Sequence, residues 1–331
     1  MPTLRGGGLA PAVAGSVVLA ISLTPGAGAE AVGLLAAVSA FGAVGFVEDI
    51  RGIPVGRRLA LHMLIAVVAV PFMLADASID GRLWPAVTGV AVLGLVSYVN
   101  AFNFMDGIDG ISVAQAGVAG LTFLVVGDAA GSEVLAIGGA VCLGTAVGFA
   151  PSNVPRARVF LGDVGSYFFG GLIGSLAIAG LADRNPPEAV LAPLALYIAD
   201  TGTTLLRRVR ARESWLSPHR SHVYQRLTDL GFTHIQVSAG VGGVMAVSSL
   251  LGAVSLSGNL VGRIAADAGL LLVITLYLMS PGLLRRTGRR PAGSVASAPS
   301  DGGAGHVTEP GQRRSEPLAQ RDRAGLRKEP A

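Results

Sequence analysis

Ten apolar runs, most close to bilayer-spanning length, dominate this chain and leave it few architectures. They cover residues 8–25, 31–47, 58–75, 84–101, 112–126, 133–150, 164–182, 189–206, 235–256 and 264–284. A transmembrane helix needs about 17–25 mostly apolar residues, and the run at 112–126 falls just short of that. Inside lipid each backbone N–H and C=O must be satisfied within the segment, so runs of this kind become helices. The expected fold class is all-α: a polytopic membrane protein of about ten transmembrane helices. The chain is 51% hydrophobic and only 14% charged, whereas soluble domains carry about 25% charged residues. The first run, with Arg5 before it and Ala27-Gly28-Ala29 after it, also has the outline of a secretory signal. A second apolar run follows at once, which favours a retained helix.

Arginine placement orients the bundle. With the N-terminus in the cytoplasm, the cytoplasmic segments carry 16 arginines and the opposite loops carry Arg82, Arg184 and Arg263. The polar loops, at 48–58, 102–111, 151–163 and 207–233, then all fall on the cytoplasmic side, and the opposite loops are short and plain. Residues 287–331 are rich in Gly, Pro, Ser, Ala and Arg and bury too little to fold, so a disordered tail is expected there. The single Cys142 excludes an intramolecular disulfide, a Cys-rich zinc site and an iron–sulfur cluster.

The polar loops carry the chemistry. The stretch Asn100–Ile111 reads NAFNFMDGIDGI, with Asp106 and Asp109 three residues apart and Asn103 just before them. Such carboxylates repel one another unless a cation neutralises them, and a hard cation that takes one or two carboxylates plus substrate phosphates fits. A solvated Asp-Gly turn is the plainer reading. Glu48 and Asp49 end one run, and Arg57, Arg58 and His62 begin the next. Asp163 sits in VFLGDVGS at the start of a helix, where free N–H groups suit phosphate or where Asp163 or Ser166 acts as a cap. Phe160 stacks on a base or packs; Asn153 binds a ligand or forms a turn beside Pro151 and Pro155. Asp200 lies within an apolar run, where a buried acid is functional or paired, and Arg207 and Arg208 follow on roughly the same face. His219, Arg220 and His222 then suit an anionic pyrophosphate better than zinc. His234 reads as a surface residue. Acids beside cationic side chains on one membrane face are the layout for phosphoryl transfer.

NAFNFMDGIDGI, VFLGDVGSYFFG and the Asp200–Arg208 segment followed by PHRSHVYQRL resemble the polyprenyl-phosphate N-acetylhexosamine-1-phosphate transferases, glycosyltransferase family 4. These share a superfamily with the phospho-N-acetylmuramoyl-pentapeptide transferase. The resemblance covers roughly residues 2–285, with a transferase domain over 1–286. It implies transfer of a sugar-1-phosphate from a UDP-N-acetyl amino sugar to undecaprenyl phosphate, with release of UMP. It also implies Mg²⁺, replaceable by Mn²⁺, a multi-pass place in the plasma (inner) membrane with the site facing the cytoplasm, no nucleic acid, and room for a homodimer.

Residue by residue, Asp163 matches the metal-binding Asp and Phe160 the aromatic that stacks on uracil. Asn103, Asp106 and Asp109 match the loop lining the nucleotide site, and Asn153 a further lining residue. Asp49 matches the second Asp of an acidic pair, and His219 and His222 the basic–His loop. Arg58 and Arg220 join them in neutralising phosphate.

The sequence departs from the family pattern in three places. PTLRGGG stands at the start, where the family has a preceding helix. Glu48 replaces the usual Asp. HRSHVYQRL is poorer in histidine than the peptidoglycan enzyme and closer to the branch that initiates O-antigen or other surface glycans. Two other classes compete: a transporter, which calls for polar mid-membrane groups in two related halves, and a catalytically impaired relative kept as a scaffold.

Overall fold

The structure, a computed structural model, describes residues 6–23, 28–212 and 221–286. The described residues form eleven α-helices and no β-strand: α1 (Leu9–Leu23), α2 (Ala29–Arg51), α3 (Val55–Met73), α4 (Trp84–Met105), α5 (Ile111–Ala130), α6 (Glu133–Asn153), α7 (Gly162–Ala182), α8 (Pro187–Arg210), α9 (Val223–Asp229), α10 (His234–Ala253) and α11 (Leu260–Arg286). Nine of them are long and apolar enough to cross a membrane. The tenth apolar helix, α1, has 15 residues and rises only about 22 Å. It packs as a member of the bundle against α2, α6 and α7. The short run at 112–126 becomes a full 20-residue helix. The expected tail at 287–331 lies outside the described residues, as do His219 and Arg220.

The bundle is built around α7. Along its apolar window α7 is 94% buried, against 17% for α11. Its sequence GDVGSYFFGGLIGSLAIAGLA explains this, because small residues let neighbouring backbones approach closely. A Cβ on Gly170 would lie 2.9 Å from the α4 backbone at Val99, and one on Gly171 2.8 Å from Phe41 of α2. α2 also meets the start of α7, where a Cβ on Gly45 would run into the Asp163 carbonyl.

Several helices continue past their apolar runs. α4 carries Asn100 and Asn103 on its last turns, α6 runs through Pro151 to Asn153, and α8 reaches Arg210. Hydropathy marks the part that faces lipid, whereas the helix ends where its last carbonyls find other partners. Successive spans alternate in direction. The C-terminal ends of α2, α4, α6 and α8 therefore meet the N-terminal ends of α3, α5, α7 and α10.

Candidate active site at one end of the bundle

Asp49, at the end of α2, accepts the amide of Asp163 on Oδ1 at 3.0 Å and that of Val164 on Oδ2 at 2.9 Å. It thus caps α7 from another helix, using two of the free first-turn donors that any helix start exposes. Gly162 makes the approach fit. Its φ is +74°, and a Cβ there would lie 2.7 Å from Asp49 Oδ2. The cap of α7 is accordingly neither Asp163 nor Ser166, and these two amides are already occupied rather than open to phosphate.

The Asp163 side chain is freed for other work. Asn103 Nδ2 donates to Asp163 Oδ1 at 2.5 Å and to Ser166 Oγ at 3.0 Å. One turn beyond Asn103, Asp106 ends α4 and accepts the Ser112 hydroxyl at 2.6 Å. Burial pushes its carboxyl up to about 6 against the Ser112 bond, and the charges of Asp163 and Asp49 push the same way. Three carboxylates from three helix ends therefore feel one another. Glu48 acts within its own turn. Its Oε2 accepts the Ile53 amide at 2.6 Å, and its Oε1 lies 3.4 Å from Arg58 Nη1. With Gly52 at φ +66°, it closes the α2–α3 turn. Arg58, expected to meet phosphate, is in this ion pair at the edge of the site.

The Asp-Gly loop is held from two sides. Asn153 is buried; its Oδ1 accepts the Gly110 amide at 2.8 Å, and its Nδ2 donates to the Val159 carbonyl at 3.3 Å. It clasps the α4–α5 and α6–α7 loops, so both ends of its amide are engaged by the chain. Asp109 is engaged by α10. Its carboxylate lies 3.3 Å from His234 Nδ1, and its carbonyl accepts the Ser238 hydroxyl at 2.7 Å. Phe160 is 44% exposed at the rim; its carbonyl accepts the Gly7 amide at 2.9 Å. His222 is only 4% exposed, with its ring nitrogen 3.2 Å from Asp200.

Two residues with no role assigned from sequence belong to this end. Tyr224 donates to the Phe104 carbonyl at 3.1 Å and fills the space that a Cβ on Gly107 would need. His234, read as a surface residue, pairs with Asp109. The glycine of the first Asp-Gly pair was the available signal for Tyr224, since such a glycine also marks a close approach. No signal marked His234, because its partner lies 125 residues away in sequence.

No group of three or more His, Cys, Asp or Glu in metal-binding geometry exists among the described residues. Mg²⁺ takes one or two carboxylates plus phosphates and water, and Asp163, oriented by Asn103, is a carboxylate that such an ion would use. The acidic trio, with Asp106 holding a proton to about pH 6, carries the negative charge such an ion neutralises.

A family profile described as Glycosyl transferase family 4 matches residues 31–181, from α2 through α7. The decaprenyl-phosphate N-acetylglucosaminephosphotransferase of Mycolicibacterium smegmatis is 32% identical over 276 positions, covering 70% of this chain and 67% of that protein. A probable undecaprenyl-phosphate N-acetylglucosaminyl 1-phosphate transferase of Bacillus subtilis is 28% identical over 190 positions, covering 55% of this chain and 52% of its own length. The phospho-N-acetylmuramoyl-pentapeptide-transferase of Heliobacterium modesticaldum is 27% identical over 226 positions, covering 62% and 68%. The profile match contains Asp49, Asp106, Asp109 and Asp163 together with the helices that bring the carboxylate trio to one end, and the chain belongs to glycosyl transferase family 4.

Proposed function

We propose that this protein transfers a sugar-1-phosphate, GlcNAc-1-phosphate or that of a related N-acetyl amino sugar, from its UDP-sugar to a polyprenyl phosphate. The reaction releases UMP and opens the assembly of a cell-surface glycan. The observation that carries this reading is the meeting of Asp49, Asp106 and Asp163 from three helix ends, with Asn103 bonded to Asp163. The arginine asymmetry supports a cytoplasmic site in the plasma membrane, where nucleotide sugars are made.

In this reading Asp163 would hold Mg²⁺, and Asn103 fixes the orientation of its carboxylate. When bound, the ion would screen the pyrophosphate and the departing UMP. Asp49 fixes the first turn of α7 and with it the place of Asp163. Phe160 offers an exposed ring to the uracil. Arg58 would answer the phosphate charge by exchanging its Glu48 partner for phosphate, and His219 and Arg220, which lie outside the described residues, would join it. An oxygen of the lipid phosphate attacks the β-phosphorus; the bond from that phosphorus to the bridging oxygen breaks, and UMP leaves with the oxygen. The acceptor is already an anion near neutral pH, so no strong base is needed. Positioning and charge neutralisation supply most of the rate.

The test uses the full chain in lipid nanodiscs with UDP-GlcNAc, Mg²⁺ and either undecaprenyl or decaprenyl phosphate. UMP release that depends on lipid phosphate and Mg²⁺ is expected, and Asp163→Asn should reduce it to background. Undiminished turnover by Asp163→Asn overturns the metal assignment. No release from any UDP-N-acetyl amino sugar overturns the function.

A further inference from the structure

Asp200 is a fully buried carboxylate in the middle of a span, and nothing in the transfer reaction above uses it. Its oxygens gather donors from three helices. Tyr277 of α11 donates its hydroxyl at 2.8 Å, Thr204 of α8 its hydroxyl at 3.3 Å, and Val223, the first residue of α9, its amide at 3.1 Å. His222 Nδ1 adds a contact at 3.2 Å. A carboxylate this deep is costly to bury, and an apolar residue would pack these helices at lower cost. What a buried acid adds is a fixed register among the groups that satisfy it.

That register reaches the site within two residues. Tyr224 follows Val223 and is 1% exposed. Its hydroxyl donates to the Phe104 carbonyl at 3.1 Å, receives Gln225 Nε2 at 3.1 Å, and sits where Gly107 lacks a side chain. Phe104 lies two residues before Asp106 and Gly107 directly after it. A line therefore runs by hydrogen bonds from Tyr277 through Asp200 to Val223, along the chain to Tyr224, by a hydrogen bond to Phe104 and along the chain to Asp106.

We propose that Asp200 and Tyr277 are positioning residues: they lock the start of α9 and, through Tyr224, hold the Asp106 loop in place beside Asp163. The last span then shapes the site through α8 and α9 without touching substrate. The kinetic consequence rests on the transferase reading; the structural one does not.

The experiment uses the full chain in nanodiscs with two mild variants that break the line at opposite ends, Tyr277→Phe and Tyr224→Phe. Hydrogen–deuterium exchange of peptides spanning 100–110 is expected to quicken several-fold in both variants, while exchange at 48–58 stays at the wild-type rate. In the UMP-release assay kcat should fall about 5- to 20-fold, with the KM for UDP-GlcNAc within about twofold, as for an interaction realised in the transition state. Wild-type exchange at 100–110 in Tyr277→Phe overturns the proposal. So does a kcat loss that merely tracks the fraction unfolded at the assay temperature. If the wild-type protein turns over no UDP-sugar, the transferase reading fails, and loop exchange alone still decides whether the line is real.

Discussion

Asp49 tests the link between fold and site most directly, because the structure gives it a role that its charge alone does not suggest. Both carboxylate oxygens cap α7, at 3.0 and 2.9 Å from the Asp163 and Val164 amides. Replacing a capping Asp with Ala costs about 0.5–2 kcal/mol. Loss of the negative charge at a helix start adds about 0.3–1 kcal/mol, and up to about 2 when partly buried. Asp49→Ala should therefore destabilise by about 1–3 kcal/mol, and Asp49→Asn, which keeps one acceptor, by roughly half that. One term opposes the loss. The Asp49 charge repels both Asp163 and Asp106, and the part of that strain on Asp106 exists only while Asp106 is ionised. Asp106 changes charge near pH 6, so relief of that part is present at pH 8 and largely absent at pH 5. Thermal melts of wild type, Asp49→Asn and Asp49→Ala in nanodiscs at both pH values check this. The melting point should drop most for Ala, and more at pH 5 than at pH 8. Wild-type melting of Asp49→Ala at both pH values refutes the capping argument, and equal losses at the two pH values refute the coupling to Asp106.

Asp106 carries a pH signature of its own. Its folded value of about 6 lies above the usual 3.8, so its burial cost is absent below about pH 4, grows between pH 4 and 6, and is complete above 6. The metal-free protein should thus lose more stability from pH 5 to 7.5 than Asp106→Asn does, as read by paired melts, and Mg²⁺ should narrow the gap at pH 7.5. Gly107→Ala places a methyl on the Tyr224 hydroxyl; it should lower UMP release by about tenfold, the cost of a displacement near 1 Å or less. Asn153→Ala strips the partner from the buried Gly110 amide; a loss of about 1–3 kcal/mol is expected, seen as a lower melting point, with Asn153→Asp milder because it keeps the acceptor.

The spans were legible because lipid leaves the backbone one solution, and ten apolar runs became ten apolar helices. Their ends were less legible. Asn103 reads as a loop residue, yet it rides on α4, since a polar residue facing α7 does not interrupt a helix. The motif pattern singled out Asp106, Asp163 and Asn103, which the fold brings together. It gave no hint that Asp49 caps a helix 114 residues away, that Tyr224 reaches back 120 residues to Phe104, or that Asp200 takes a hydroxyl from Tyr277. Asp200 itself was conspicuous as an acid in an apolar run. The nearby arginines looked like its natural company, yet a tyrosine, a threonine and a helix start donate to it. Such pairings are set by helix packing and have no local trace.

The donors that shape the acidic end are mostly neutral, and this bears on what the site can bind. Asp49 is held by backbone amides, Asp163 by an Asn side chain and Asp106 by a Ser hydroxyl. Arg58, the basic residue at its edge, is already paired with Glu48. Neutral donors fix where a carboxylate points without cancelling its charge. A lysine or arginine in place of Asn103 would fix and cancel at once, leaving nothing for a ligand to do. An arrangement that uses hydrogen bonds for shape and leaves the field negative is suited to a cation that arrives with its own anionic cargo. A metal-bound pyrophosphate meets that description, whereas a bare diphosphate would be repelled by the same three side chains. In the transferase reading, an amide rather than an amine at position 103 orients Asp163 and leaves its charge available to the ion.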